Sequence, residues 1–306
     1  MKKDFIAVAD YSPEELKEML DLAVDLKMEY FKKGNQPLLK GKVLGMIFNK
    51  PSLRTRISFD MAMRHLGGDA LFISPSEIGL GQRESIADVA RVMSGYVHGI
   101  MARVFAHSHV TELAKWSSIP VINGLSDYNH PCQVMADVMT IYENFGKLKG
   151  LKVTFIGDGN NVAVSLLHAC SKLGLDFSIA SPEGYDIDDT AWKIAEGFAG
   201  KSGSKLSNFR DPKQAVAGVD VIYTDTWTSM GQEEETEKRM KVFPPYQVNT
   251  ALVDLASNDV IVMHCLPAHR GQEITDVVAD GPHSMLFPQA HNRLHAQKAI
   301  LVKLLA

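Results

Sequence analysis

Cysteine is scarce. Cys132, Cys170 and Cys265 are the only three among 306 residues, and an odd number cannot all pair internally. That excludes a disulfide-stapled scaffold and reads as free thiols in a reducing compartment. Long apolar runs are also lacking; none approaches the ~20 residues that cross a bilayer. The opening residues carry two lysines but no apolar stretch of signal-peptide length. Neither sign of charge dominates: 32 basic and 36 acidic side chains leave a net charge of −4. Such a balance exerts no global pull toward nucleic acid or anionic membrane, although a local basic cluster can still hold a small anion. Low-complexity tracts are missing, and 45% hydrophobic with 22% charged residues is ordinary globular composition. The expectation is a cytoplasmic protein with no nucleic-acid or membrane partner.

At roughly 150 residues per domain, the length suggests about two domains. Short apolar runs alternate with longer helical patterns. Strands are predicted over residues 42–48, 70–74, 99–104 and 120–123, with helices over 54–66, 84–96, 110–117 and 130–145. A helix over 12–31 precedes them, with Ser12 as cap and Pro13 in its first turn. The pattern pauses at 146–150 and restarts with a strand over 151–156, a glycine-rich turn at 157–161 and a helix to about 173. Strands over 177–180, 219–224 and 260–263 follow. Repeated strand–helix units predict an α/β protein of two doubly wound parallel-sheet domains, 1–148 and 149–306. A cleft is expected between them, lined by loops at the carboxyl ends of strands. Terminal helices should pack across. The last, over 291–305 with Leu294, Ala299, Leu301 and Leu305 buried, should return to the first domain. The charge run 232–241 reads as a solvated loop and helix start.

Several strand ends carry residues suited to chemistry. Ser52-Leu53-Arg54-Thr55-Arg56 follows the first strand. A serine cap, exposed N–H groups and a positive helix end favour an anion, and arginine forks suit phosphate. Residues two apart on a helix point about 200° apart, so one arginine should face a ligand and the other brace the loop. His130-Pro131-Cys132-Gln133 opens a helix, where the dipole favours a neutral imidazole able to donate to a carbonyl oxygen. Gly157-Asp158-Gly159-Asn160-Asn161-Val162 is a weak relative of the dinucleotide fingerprint, which leaves a dinucleotide-dependent dehydrogenase as a rival reading. Asp225, at a strand end before a loop, suits an amine; an amino-acid-binding module is a further alternative. His264-Cys265-Leu266-Pro267-Ala268-His269-Arg270 ends another strand. Adjacent residues of an extended chain point to opposite faces, so His264 and Cys265 should not converge, and no metal site is expected. Arg293 lies where the last helix is expected to begin. His65, His98 and His168 read as structural or surface residues.

Taken in order, Ser52–Arg56, Arg103, His130–Gln133, Asp225–Gly231 (DTWTSMG) and His264–Pro267 (HCLP) strongly resemble the carbamoyltransferases, nearly end to end. The S-M-G loop and H-C-L-P mark the ornithine branch. The resemblance implies transfer of a carbamoyl group from carbamoyl phosphate to the δ-amine of L-ornithine, giving L-citrulline and phosphate. Attack would be direct, without a covalent enzyme intermediate, metal or organic cofactor. Another amine acceptor, such as N-acetylornithine, is the alternative. Carried over, the resemblance puts Ser52, Leu53, Arg54, Thr55 and Arg56 around the phosphate. It has Arg103 and His130 polarise the carbonyl and Gln133 hold the amide, with Pro131, Cys132, Leu266 and Arg293 completing that site. Asn161, Asp225, Ser229 and Met230 would hold the α-groups of ornithine. Cys265 would sit where the δ-amine attacks. Leu53 departs from the commoner threonine or methionine. Gly79 stands where a glutamine often reaches a neighbouring subunit, and Gln82 is its substitute here. The resemblance further implies a homo-oligomer, a trimer.

Overall fold

A computed structural model describes residues 2–81, 83–229, 231 and 233–306. It divides into two compact units, Met1–Met139 with His291–Ala306, and Thr140–Ala290. Among the described residues no helix is long and apolar enough to cross a membrane.

The first unit opens with α1 (Pro13–Lys33), where Ser12 and Glu15 form a reciprocal capping box. Then come β1 (Val43–Phe48), α2 (Leu53–His65), β2 (Asp69–Ile73), α3 (Pro75–Ile78), α4 (Ile86–Ser94), β3 (Gly99–Arg103), α5 (His107–Trp116), β4 (Val121–Leu125) and α6 (Pro131–Phe145). The strands form one parallel sheet in the order β2-β1-β3-β4. Buried apolar side chains of β1, β3 and β4 meet those of α4 and α5, including Ile47, Ile100, Val121, Val89 and Leu113. The order reverses between β1 and β3, so their carboxyl-end loops border the switch point at which open α/β sheets bind ligands.

The second unit contains β5 (Lys152–Ile156), α7 (Asn161–Leu173), β6 (Asp176–Ala180), α8 (Asp189–Ser202), β7 (Leu206–Phe209), α9 (Pro212–Val216) and β8 (Val221–Thr224). It continues with α10 (Thr236–Val242), α11 (Thr250–Val253), β9 (Ile261–His264), α12 (Asp276–Ala279) and α13 (Leu286–Leu305). Its parallel sheet runs β7-β6-β5-β8-β9 and reverses between β5 and β8. The loops bordering that reversal carry Asp158–Asn160 and Asp225–Trp227.

Three expectations need correction. In the charge run 232–241, α10 begins at Thr236, as a helix start was expected there, but Arg239 is not solvated: it is buried at 4% exposure. The last helix begins at Leu286 rather than near 291. From His291 onward it belongs to the first unit, but it is not two-faced. Ala299, Leu301 and Leu305 are buried, as are Asn292, Arg293, Gln297 and Lys298, whereas Leu294 is half-exposed. Lys298 lies over the Tyr30 ring, 4.3 Å from its centroid, and donates to Asn35 Oδ1. Lys27 donates to Asn292 Oδ1 at 2.8 Å. Polar partners from the region of α1 thus offset the burial of Asn292 and Lys298, whereas the buried Gln297 amide has no hydrogen-bond partner among the described residues.

Candidate active site

In the first unit, Ser52 leaves the extended chain after β1 and caps α2, its hydroxyl accepting from Thr55 N–H at 3.2 Å. Thr55 is fully buried, and its own hydroxyl accepts from Arg293 Nη2 at 2.9 Å. The two neighbouring arginines part. Arg56 is exposed, its guanidinium 4.1 Å from the Phe72 ring centroid on β2. Arg54 is half-buried and acts electrostatically on His130. Leu53 is 71% exposed.

His130 is buried at the start of α6, its carbonyl accepting from Gln133 and Val134 N–H groups. Burial above all, then the charges of Arg293, Arg103, Lys50 and Arg54, hold its imidazole well below the ordinary histidine range. The ring is therefore neutral at pH 7. Lys50 was not anticipated from the sequence. It is 6% exposed, with its ammonium 4.3 Å from the Phe105 ring centroid. Its position between β1 and the capped Ser52 was the available signal. Arg103 is buried at the end of β3, across the switch point from β1. Gln133 donates to Asp137 Oδ1 at 2.9 Å, while its buried Oε1 has no protein partner among the described residues. The Cys132 thiol points inward, donating to Asn123 O at 3.3 Å, and burial pushes it up to about 12.

In the second unit, Asp225 follows β8 and is buried. Its Oδ1 accepts from Cys265 Sγ at 3.0 Å and from Thr226 N–H at 2.8 Å. Its Oδ2 accepts from Asn160 Nδ2 at 2.8 Å. Asn160 is also the cap of α7, accepting from Val162 and Ala163 N–H groups; Asn161 is the helix's first residue. Ser229 is half-buried. Met230 and Gln82 lie outside the described residues.

His264 and Cys265 do converge, against expectation: their ligand atoms and one from Asp225 lie within 4.8 Å of one another. Side-chain alternation holds only within a strand, and β9 ends at His264. Beyond it Leu266 takes a left-handed φ of 58°, before a cis bond to Pro267. Both imidazole nitrogens are engaged. Nδ1 accepts from Leu266 N–H at 2.9 Å, and Nε2 faces Glu273 Oε1 at 3.0 Å, in a pair with no solvent exposure. An imidazole so used offers a metal no lone pair, and the thiol's hydrogen is directed at Asp225.

The family model for the aspartate/ornithine carbamoyltransferase carbamoyl-P binding domain matches residues 3–143, and that for the Asp/Orn binding domain matches residues 149–304. The ornithine carbamoyltransferase of Pyrococcus abyssi is 54% identical over 305 residues, covering 99% of this chain and 96% of that protein. The ornithine carbamoyltransferase of Anoxybacillus flavithermus is 53% identical over 303 residues, covering 99% and 96%. Among solved structures, the ornithine carbamoyltransferase of Pyrococcus furiosus superposes with a TM-score of 0.97 at 52% identity, covering 99% of this chain and 97% of that one. That of Thermus thermophilus gives 0.90 at 43% identity, covering both chains fully at 100%. With both domain models matched and full-length identity above half, the chain belongs to the aspartate/ornithine carbamoyltransferase family.

Proposed function

We propose that this enzyme transfers the carbamoyl group of carbamoyl phosphate directly to the δ-amine of L-ornithine, giving L-citrulline and phosphate. The observation that carries this reading is a neutral, buried His130 under the combined field of Lys50, Arg54, Arg103 and Arg293. A compact dianion suits such a field, and a neutral imidazole can donate one hydrogen bond to a carbonyl as charge develops on its oxygen. Ser52, Leu53, Arg54, Thr55 and Arg56 would serve the phosphate from the N-terminus of α2, with Arg293. Arg103 and His130 would polarise the carbonyl. The unpartnered Gln133 Oε1 is the natural acceptor for the carbamoyl NH₂. Pro131, Cys132 and Leu266 would contribute from the backbone, since the Cys132 thiol is turned inward.

Asn161, Asp225, Ser229 and Met230 would hold the α-amino and α-carboxylate groups of ornithine. The amine needs its neutral form, and with a free pKa of about 10.4 only about one molecule in 10³ is neutral at pH 7. Its nitrogen bonds to the carbamoyl carbon, the C–O bond to phosphate breaks, and the ammonium proton so formed departs. Cys265 would orient the amine. A thiol that donates to Asp225 is protonated, whereas a nucleophilic cysteine acts as thiolate. No organic cofactor or metal enters this scheme.

The same reading assigns carbamoyl phosphate to residues 1–148 with the returning helix, and ornithine to 149–306. It includes a cytoplasmic trimer. Exposed Leu53 and Ile57 on α2, with Leu71 and Phe72 on the edge strand β2, support association of copies. The Gln82 contact across subunits belongs to that proposal.

A phosphate-release assay with carbamoyl phosphate and L-ornithine, without nicotinamide, tests the reaction. Turnover with ornithine, and none with N-acetylornithine or aspartate, is the expected result. Release only with another acceptor would overturn it, and sedimentation velocity tests the trimer.

A further inference from the structure

Arg239 is part of the charge run that sequence alone left in solvent. Its guanidinium is buried, 4.8 Å from the Tyr185 ring centroid and 5.8 Å from that of Phe243. Nη1 donates to Asp158 Oδ2 and to Trp227 O, each at 2.7 Å, and Nε donates to Glu235 Oε2 at 2.9 Å. Asp158 stands two residues before Asn160, and Trp227 two residues after Asp225. Asn160 and Asp225 are themselves bonded side chain to side chain.

The result is a closed ring. Two tripeptides, Asp158-Gly159-Asn160 after β5 and Asp225-Thr226-Trp227 after β8, run between two rungs. One rung is the Asn160–Asp225 bond and the other is Arg239. The first tripeptide cannot drift outward. Gly159 N–H donates to Tyr185 O at 2.8 Å, and a Cβ at Gly159 would lie 2.3 Å from Ile187 N. With that side walled in, the two rungs hold the two ends of the second tripeptide, beside the contacts of Cys265 Sγ with Asp225 Oδ1 at 3.0 Å and of the Thr226 hydroxyl with His269 Nδ1 at 2.9 Å.

We propose that Arg239 is a positioning residue for the amino-acid substrate, closing this ring and so fixing the direction in which Asp225 presents its carboxylate. This rests on the reading that Asp225 holds an amino group of ornithine. Arg239 also supplies the counter-charge to Asp158, a second buried carboxylate in electrostatic reach of Asp225. Asp225 is thereby left as the acidic group that meets the ammonium. The role is one of geometry and charge placement, because Arg239 bonds protein groups on three sides.

Steady-state kinetics on the full-length enzyme test it. Arg239 uses two nitrogens, Nη1 for Asp158 and Trp227 O and Nε for Glu235, and the single ammonium of lysine, on a stem without the planar group, cannot serve all three acceptors in that geometry. Arg239→Lys should raise KM for ornithine about tenfold, equivalent to about 1.4 kcal/mol, with KM for carbamoyl phosphate within about twofold of the parent. The double variant Arg239→Met with Asp158→Leu removes the buried pair together, which cores tolerate far better than loss of one partner. It should melt cooperatively and show the same selective rise, and it decides the matter where Arg239→Lys does not fold. Equal rises in both constants, or no change in either, would overturn the proposal. Asp225→Asn separates the two layers. If it leaves the ornithine KM intact, the reading of Asp225 fails. If it raises that KM while the ring variants do not, the ring proposal fails alone.

Discussion

Arg293 on α13 donates to the Thr55 hydroxyl on α2 at 2.9 Å, joining residues 238 positions apart inside one compact unit. The bond spends the threonine hydroxyl on holding a buried guanidinium, so Thr55 acts through the arginine it orients. Thr55→Val keeps the shape and removes the acceptor. Hydrogen bonds to charged groups contribute about 1.5–3 kcal/mol, and urea denaturation should register a loss in that range. Calorimetry should show weaker carbamoyl-phosphate binding as well. Unchanged stability would mean that the guanidinium finds another acceptor without cost.

The neighbouring arginines should separate cleanly. Arg54 acts on His130, whereas Arg56 is occupied at the Phe72 ring. Arg54→Ala should abolish measurable binding of carbamoyl phosphate, and Arg54→Lys should recover only part of it, lacking the planar fork. Arg56→Ala should weaken binding several-fold at most. Equal losses from the two alanine variants in a calorimetric titration would refute the division of labour.

Acid should loosen the fold through its buried histidines. His130 is held well below, and His295 down to about 3, chiefly by burial. Each binds its proton in the unfolded chain near pH 6.5 but not in the native one at that pH. The stability they contribute is therefore complete above about 6.5 and lost as pH falls, for His295 down to about 3. The slope approaches 1.4 kcal/mol per pH unit for each histidine. Urea midpoints at pH 7.5, 6.5, 5.8 and 5.0 should fall steadily. His295→Phe, which keeps a ring against Tyr30 and Phe31, should flatten the curve. Parallel curves for parent and variant would exonerate His295.

Cys265→Ser substitutes a hydroxyl that can still donate to Asp225. Turnover should persist with a raised ornithine KM, and bound ornithine analogue should slow alkylation of the parent thiol. A rapid quench with labelled carbamoyl phosphate and no ornithine should leave the peptide containing Cys265 unlabelled. Trapped label, together with an inactive serine variant, would establish a covalent route instead.

Much of this architecture was readable in the chain. The runs that became β1, β3 and β5 are short, apolar and bounded by turn residues, and Ser12 and Ser52 announced their helices as caps. What escaped was burial created by distant partners. Arg239 reads as a surface charge until Asp158, 81 positions earlier, is seen beside it. Lys298 lies over a tyrosine of α1 and donates to Asn35, 263 positions away. β7 (Leu206–Phe209) is a short edge strand with its two central residues exposed, so no apolar run betrayed it. At the candidate site, residue types at strand ends were legible. The convergence of His264 with Cys265 was not, because it depends on how the backbone turns after the strand.

The order in which the first unit is assembled has a consequence for synthesis. Its four strands are complete once Leu125 has been made, yet Arg293, which bonds Thr55, is added only after the whole second unit. During translation the early sheet must wait, with the buried face meant for residues 291–306 uncovered, while some 150 further residues emerge. At typical elongation rates of about 5–20 residues per second, that interval is on the order of 10 seconds. Exposed apolar surface of that kind is where a nascent chain is most open to misassociation, and where a chaperone would hold it.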